Sequence, residues 1–355
     1  MTSVVEPVRL RDLTLRNRIW IAPMCQYSVD AYDGVPNDWH RVHYGALAAG
    51  GTGLLVVEAT AVVPEGRITR QDTGMWNEEQ AEAWSGIVAF AHAQGAAIGV
   101  QLSHAGAKAS TFAGFGRDGE ERGSVPLDRG GWQTISASDV PVMGLAAPRP
   151  ARTDELESLA DAFVDAARRA HDAGFDVVEV HAAHGYLLHQ LLSPLSNRRV
   201  DRYGGDLAGR AGLLLEIVRR IRSDLPTMPI IVRLSATDWV EGGLTPDDAA
   251  TVAGWVVAEG ADAVDASSGG LVLADIPVGP AYQAHLAERI ADEGVTASAV
   301  GLIDSAEQAE EIVRRGVSAV RIGRAALRDP NTPLRWAREL GATVDWVPPQ
   351  RVRAY

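Results

Sequence analysis

Short apolar runs alternate with amphipathic segments along the whole chain. Runs rich in β-branched residues predict eight β-strands, at Arg18–Met24, Gly53–Thr60, Ala96–Ser103, Phe175–His181, Ile230–Ser235, Ala261–Ser267, Thr296–Gly301 and Val317–Gly323. The other segments space their apolar residues as helices do, at Trp39–Ala49, Glu78–Gln94, Asp154–Ala173, Arg210–Asp224, Pro246–Glu259, Ala281–Glu293, Ser305–Arg315 and Pro333–Leu340. This order predicts an α/β fold, a (β/α)₈ TIM barrel of parallel strands with helices outside.

No linker or low-complexity tract interrupts this pattern. We therefore interpret residues 1–355 as a single barrel domain that includes a C-terminal tail at about 341–355. One long irregular stretch, roughly Ala105–Pro150, follows the third predicted strand. In a barrel, this extended loop would overhang the C-terminal face, where substrates bind.

Composition excludes several classes of protein. Lys and Arg number 33 against 46 Asp and Glu, the formal net charge is −13, and no basic stretch could follow a phosphate backbone, so no nucleic-acid partner is expected. Cys25 is the only cysteine, which excludes an intrachain disulfide and an iron–sulfur cluster held by this chain alone. Because we find neither a secretory signal nor an apolar window of membrane-spanning length, we expect a soluble cytoplasmic protein without a membrane partner.

Polar residues gather where the predicted strands end. These positions are Cys25, Tyr27, Glu58–Thr60, Gln101, His181, Arg233, Ser267 and Arg324. The carboxyl ends of barrel strands meet at one face, so side chains from distant parts of the chain are predicted to share one site.

The sharpest local feature is His181-Ala-Ala-His184-Gly-Tyr186, at the end of the fourth predicted strand. Two imidazoles three residues apart can point at one atom, and the phenol beyond them can deliver a proton nearby. A metal site is an alternative, although the neighbouring alanines and glycine supply no third ligand. A purely structural pair of histidines is another. The motif alone leaves these interpretations open.

Several groups of residues occur in the order and spacing of one known family. They are Pro23-Met24-Cys25-Gln26-Tyr27, Gln101-Leu-Ser-His104-Ala-Gly106, the run HAAHGYLLHQLLSPLSNRR followed by DRYGG, Arg233, and Ile322-Gly323-Arg324. Together they resemble the Old Yellow Enzyme family of NADH:flavin oxidoreductases and ene-reductases, over essentially the whole chain. Cys25 and Tyr27 after Pro-Met are similar to the thermophilic-like bacterial branch, in which a cysteine beside the flavin tunes its potential.

The resemblance implies FMN as the cofactor. The positions that match those lining the flavin ring, largely through backbone, are Ala22, Pro23, Met24, Cys25 and Ala59. Gln101 would offer an amide donor and acceptor to the pyrimidine edge of the ring. Arg233 would stabilise the negative charge that reduction places near N1 and O2, the alternative being a structural ion pair.

The same resemblance places the FMN phosphate at the ends of the last two strands. Gly301, Gly323 and Arg324 match the phosphate site of (β/α)₈ barrels, in which backbone N–H groups bind the anion, here with a guanidinium beside them. No Gly-x-Gly-x-x-Gly motif opens an early βαβ unit, which favours FMN over FAD or a permanently bound NAD.

The reaction is implied as well. NADPH or NADH reduces the flavin and leaves, and an activated alkene such as an enone, a maleimide or a nitroalkene then enters the same pocket. His181 and His184 are implied to bind the oxygen of the alkene, while Tyr186 protonates its α-carbon. Tyr27 would contact the substrate, and Cys25 would tune the flavin without acting as a nucleophile.

Two further site residues rest on resemblance to particular branches. Arg353 matches an arginine that reaches into the neighbouring subunit's active site, although Tyr355 stands here in place of a terminal Trp, and a frayed tail is the alternative. Trp132 lies in a segment similar to the xenobiotic-reductase subgroup, where it would roof the pocket or pack on its rim. The branch implies a homodimer or a homotetramer.

Two other functions stay open at the level of sequence. A metal-dependent TIM-barrel hydrolase would use the pair formed by His181 and His184, and a non-catalytic flavin-binding protein would hold FMN without turnover.

Overall fold

The computed structural model describes residues 2–119 and 121–355. Eight parallel strands close into a barrel, at Ile19–Ile21, Leu54–Ala61, Ala97–Ser103, Val177–Ala182, Ile230–Ser235, Ala263–Ser267, Ala297–Val300 and Ala319–Ile322. They are called strands 1 to 8 in this order. Each pairs in parallel with the next, and strand 8 pairs with strand 1. Every strand falls at a predicted position, so the (β/α)₈ barrel is confirmed.

Helices cover the outside of the barrel. Those that were predicted lie at Asp38–Ala49, Glu78–Ala93, Thr153–Asp172, Leu207–Asp224, Pro246–Ala258, Ala284–Ala291, Ala306–Arg314 and Thr332–Glu339. Two short helices that were not predicted, Leu187–Leu192 and Arg324–Arg328, follow strands 4 and 8. No helix in the described ranges has the long apolar stretch that a bilayer crossing requires.

The long loop after strand 3 is mostly irregular, as predicted. It contains 3₁₀ turns at Gly106–Lys108 and Leu127–Arg129, and a short parallel pairing of Ile135–Ser136 with Arg149–Pro150. The turn that begins at Gly106 follows strand 3 closely, so it lies near the ends of the neighbouring strands.

Side chains inside the barrel form layers, because alternate residues of each strand point inward. The lowest layer is apolar and fully buried, and an unpredicted hairpin of Val8–Leu10 with Leu13–Leu15 packs against it. Its largest members are Trp20, Leu54, Val177 and Ile231. The next inward positions are charged on four strands, and the positions after those reach a cavity at the C-terminal face. The three layers therefore differ in chemistry although the backbone pattern is the same.

Candidate active site

A cavity of about 320 Å³ opens at the C-terminal ends of the strands. It is lined by Pro23, Cys25, Tyr27, Ala59, Gln101, Phe115, His181, His184, Tyr186 and Arg233. All of these except Phe115 are residues that the sequence predicted for the site. The barrel thus brings together side chains from strand ends 1 to 5 in one place.

The two histidines and Tyr186 form a compact group on one wall. The ring centroids of His181 and His184 are 5.2 Å apart, and those of His181 and Tyr186 are 5.0 Å apart. Burial, and next the charge of Arg233, lower the pKa of both imidazoles well below the usual 6.5. Both rings are therefore neutral at pH 7, and each carries a single N–H donor.

The turn that holds these residues has an unusual backbone. His184 and Gly185 both have positive φ, 58° and 71°, and an L-residue such as His184 adopts this conformation only when its surroundings stabilise it. The N–H of His184 donates to Ser235 Oγ at 2.8 Å, and its ring Nε2 lies 2.7 Å from Ser267 Oγ. Strands 5 and 6 therefore fix both the backbone and the ring of His184.

The peptide groups of Gly185 are held from the short helix that follows. The Gly185 N–H donates to Nδ1 of His189 at 2.8 Å, and Nε2 of Gln190 donates to the Gly185 carbonyl at 2.6 Å. Because Nδ1 of His189 accepts, its proton is on Nε2, which lies 3.0 Å from a carboxylate oxygen of Asp238. His189 and Gln190 were quoted in the family motif but were not predicted for the site.

Lys108 was not predicted for the site, although it contacts the turn that carries the histidines. Its Nζ donates to the carbonyls of His184 at 2.9 Å and Gly270 at 3.0 Å, and it lies 4.9 Å from the centre of the Tyr186 ring. Burial lowers the pKa of Lys108 to about 8. Its only sequence signal is its place two residues after the Gln101–Gly106 motif, at the end of the 3₁₀ turn.

Tyr27 and Phe115 form a second aromatic group in the same cavity. Tyr27 stacks on Phe115 with ring centroids 6.1 Å apart, and Cys25, Tyr27, Trp132 and Tyr186 pack on one small apolar cluster. Burial raises the pKa of the Cys25 thiol well above its usual range, so the thiol stays protonated at neutral pH. Trp132 donates from Nε1 to the carbonyl of Glu65 at 2.9 Å and does not line the cavity.

Gln101 and Arg233 line the floor of the cavity, and each has an acidic partner. Nε2 of Gln101 donates to Glu179 at 2.7 Å, and Nε of Arg233 lies 2.8 Å from a carboxylate oxygen of Asp265. Arg233 is 5% exposed, so its ion pair and its contact with the cavity coexist. The two alternatives that the sequence left for Arg233 are therefore not exclusive.

A smaller cavity of about 180 Å³ lies beside the ends of strands 7 and 8. Gly301, Gly323 and Arg324 all line it. Gly301 has φ +120°, and a Cβ there would come within 2.7 Å of the Gln283 amide. The helix Arg324–Arg328 begins at this cavity without a side-chain cap, so its first N–H groups are available to an anion.

Known proteins resemble this chain in both sequence and structure. A family model described as "NADH:flavin oxidoreductase / NADH oxidase family" matches residues 3–342. The NADPH dehydrogenase of Listeria innocua serovar 6a is 42% identical over 359 residues that span 100% of both chains. An NADH:flavin oxidoreductase of Gibberella zeae is 41% identical over 97% of this chain and 87% of its own. Morphinone reductase is similar in structure, with a TM-score of 0.79 at 27% identity, over 98% of this chain and 92% of that one.

The chain belongs to the NADH:flavin oxidoreductase (Old Yellow Enzyme) family. It is therefore an FMN-linked, NAD(P)H-dependent oxidoreductase, and the hydrolase and non-catalytic alternatives are set aside. The described residues contain no cluster of three or more His, Cys, Asp or Glu side chains that could hold a metal ion.

The donor set of this flavin oxidoreductase fits FMN. One cavity offers amide and guanidinium groups beside small side chains, which suit a flat polar ring, and the other offers backbone N–H groups and Arg324, which suit a phosphate. Ala22 and Met24 line neither cavity: Ala22 is buried and donates to Ile322, and Sδ of Met24 lies 3.4 Å from a Cβ built on Gly323.

The C-terminal tail of the flavin oxidoreductase lies on its own barrel. Residues Pro349–Ala354 form a 3₁₀ helix, and Arg351 donates to the carbonyl of Ala49 at 3.1 Å and contacts Asn331. Arg353 lines a surface pocket formed with these tail residues and does not line the site cavity of its own chain. Its insertion into a neighbouring subunit stays a prediction.

Proposed function

We propose that this enzyme reduces activated alkenes, with the flavin ring in the larger cavity and its phosphate in the smaller one. One observation supports this proposal most directly. His181, His184 and Tyr186 share the cavity with Gln101 and Arg233, so groups suited to polarise a substrate face groups suited to hold a flavin.

FMN, when bound, supplies the hydride that reaches the β-carbon. Pro23, Cys25 and Ala59 would line its ring, Gln101 and Arg233 would hydrogen-bond its polar edge, and the phosphate would be held as described for the smaller cavity. Ala22 and Met24 would support this arrangement from behind. The thiol of Cys25 is protonated, and a neutral thiol is a poor nucleophile. Cys25 is therefore suited to contact the ring and tune the potential of the flavin.

The histidine pair would bind the oxygen atom of the alkene's activating group. Negative charge grows on this oxygen as the β-carbon is reduced, and two fixed N–H donors stabilise it more than they stabilise the neutral ground state. Neutral imidazoles are suited to this task because they donate without giving up their protons. The ring of His184, held by Ser267, needs no reorganisation when the charge appears.

Tyr186 would protonate the α-carbon. Burial raises the pKa of its phenol well above 10, so the proton is present at neutral pH and goes only to a strongly basic atom. Lys108, 4.9 Å from the ring centre, would stabilise the phenolate left behind. Tyr27, which packs on the same apolar cluster as Tyr186, would also contact the substrate, and Trp132 would support this cluster from the rim.

The same cavity would bind the nicotinamide before the alkene. Its carboxamide oxygen is an acceptor like the oxygen of an enone, and so suits the same two N–H donors. The similar Listeria proteins are named NADPH dehydrogenase, and we propose NADPH as the first donor to test, with NADH second. We also propose a cytoplasmic homodimer or homotetramer in which Arg353 enters the neighbouring site.

The proposal is tested with purified protein in two steps. Released flavin is identified first, and the two half-reactions are then followed by stopped-flow absorbance with NADPH and with cyclohexenone, a maleimide and a nitroalkene. We expect one FMN per chain, bleaching by NADPH and recovery of colour with at least one alkene. Bleaching without recovery by any of the three would contradict alkene reduction.

A pair of variants separates the site from general damage. His181→Ala should keep FMN and lower the rate of alkene reduction by about 100-fold or more, as loss of an oxyanion donor does. His171→Ala removes an exposed imidazole on the outer helix Thr153–Asp172. It should change neither the FMN content nor the rate of alkene reduction. Equal effects of both substitutions would argue against the role of the histidine pair.

A further inference from the structure

A layer of charged side chains lies below the site cavity and takes no direct part in the chemistry proposed above. Glu179, Asp265 and Arg321 are each 0% exposed. Arg321 bridges the two acids, with Nη1 2.5 Å from Glu179 and Nε 3.0 Å from Asp265. Its guanidinium also lies 5.6 Å from the centre of the Trp20 ring, which belongs to the apolar layer underneath.

This cluster is connected to the cavity at both of its ends. Glu179 accepts from Gln101, and Asp265 pairs with Arg233 at 2.8 Å. Counting Arg233, the layer holds two guanidinium groups and two carboxylates, so its formal charge is balanced. A buried layer of this kind is stable only when every charge is paired. Gln101 and Arg233 line the larger cavity, and Arg321 lines the smaller one beside strands 7 and 8.

We propose that Asp265 and Glu179 are positioning residues that orient Arg233 and Gln101 toward FMN and lower its reduction potential by offsetting the positive charge of Arg233. This inference rests on the proposed flavin site, because it takes Gln101 and Arg233 as the residues that contact the ring.

The orientation of both carboxylates follows from their partners. Asp265 uses one oxygen for Arg321 and for the hydroxyl of Ser298, which donates at 2.7 Å, and so turns the other oxygen toward Arg233. An ionised Glu179 can only accept, so it meets the amide nitrogen of Gln101 and not the amide oxygen. Glu179 thereby decides which way the Gln101 amide faces the cavity.

The effect on potential follows from charge. Two-electron reduction makes the flavin ring more negative, and an unpaired Arg233 would favour that state strongly in a site with little water. With Asp265 alongside, Arg233 presents less positive charge to the ring. Removing either carboxylate leaves the layer with a net positive charge, so both Asp265→Asn and Glu179→Gln should make FMN easier to reduce.

The test is the midpoint potential of bound FMN, measured by equilibration with a reference dye in the FMN-loaded enzyme. We expect each of the two substitutions to shift the equilibrium toward reduced FMN by at least about tenfold, which is ~30 mV for a two-electron couple. Asp262→Asn is the matched control. Asp262 also pairs with an arginine, the partly buried Arg222 at 2.7 Å, but it precedes strand 6 at the opposite end of the barrel, so its loss should leave the potential unchanged.

The outcomes separate the two proposals. An unchanged or lower potential in both substituted enzymes overturns the inference, and so does an equal rise in the Asp262 control. Failure of the wild-type chain to bind FMN would instead overturn the proposed function. If Asp265→Asn yields no flavin-bound protein, Glu179→Gln decides, because it leaves Asp265 between the two arginines, and the potential is read only from folded, flavin-bound enzyme.

Discussion

Alanine at position 270 should slow this enzyme although it removes no functional group. Gly270, in the loop after strand 6, has φ +90°, and a Cβ built on it lies 2.7 Å from Cα and 2.8 Å from the carbonyl carbon of His184. Ordinary van der Waals contact begins at 3.4 Å, so the two backbones must separate by about 0.7 Å. The displaced residue is the one whose ring holds the substrate oxygen in the proposed mechanism.

The size of the effect can be estimated from this displacement. A misplacement of about 1 Å can cost on the order of 100-fold in rate, so we expect Gly270→Ala to lower both half-reactions by about tenfold to 100-fold. Both should fall because nicotinamide and alkene are proposed to use the same histidines. FMN content should be unchanged, since Gly270 lines neither cavity.

Gly316→Ala is the matched control, because Gly316 has φ +98° and a Cβ there meets nothing within 4 Å. Both substitutions strain the backbone, at a cost of about 1–2 kcal/mol in the free energy of unfolding, but only Gly270→Ala adds the collision. The assay is stopped-flow kinetics of both half-reactions beside thermal unfolding. Rates within twofold of wild type for Gly270→Ala would show that close packing of the Gly270 loop against the His184 backbone is not needed for activity.

Three further predictions concern the proton donor, its neighbour and the tail. Tyr186→Phe should slow alkene reduction by about 10²–10⁴-fold while flavin reduction by the nicotinamide changes little; equal slowing of both half-reactions would remove Tyr186 from the role of proton donor. Lys108 is charged below its pKa of about 8, so the rate of alkene reduction in the wild type should decline as pH rises through 8. Lys108→Met should abolish this inflection and give a lower rate at low pH. An inflection that survives the substitution belongs to another group. Arg353→Ala should raise KM for the alkene if Arg353 enters a neighbouring site, whereas Arg351→Ala, which frees the tail from Ala49, should also weaken the oligomer in size-exclusion chromatography; wild-type behaviour of both would mean that the tail has no part in the site.

Much of the barrel and most of the cavity were predictable from sequence, because both follow from local patterns. Apolar runs and helical spacing fix where strands and helices occur, and the closure of the barrel brings the strand ends together whatever the loops do. His181 and Arg233 could be predicted for this reason. Gly270 and Phe115 could not, because their place depends on how loops pack after the barrel has closed, and no periodic pattern carries that information.

Glu179, Asp265 and Arg321 were missed for a different reason. On each strand, every second residue points inward, and strand 4 carries Val177, Glu179 and His181 in that order. Alternation alone therefore shows that Glu179 points inward one step below the strand end, but it does not show which side chains Glu179 meets there.

The position of these three charged residues in the barrel accounts for their presence. A buried ion cluster is rarely more stable than apolar residues of the same volume, so stability alone does not account for it. A cavity that presents one guanidinium and one oriented amide to a ring needs partners that hold them. Asp265 and Glu179 are paired in register with Arg233 and Gln101 on the neighbouring strands, so the barrel geometry places a carboxylate beside each group. The apolar layer beneath is closed by the N-terminal hairpin and excludes water from this cluster. The charges of the cluster therefore interact more strongly with groups in the cavity above.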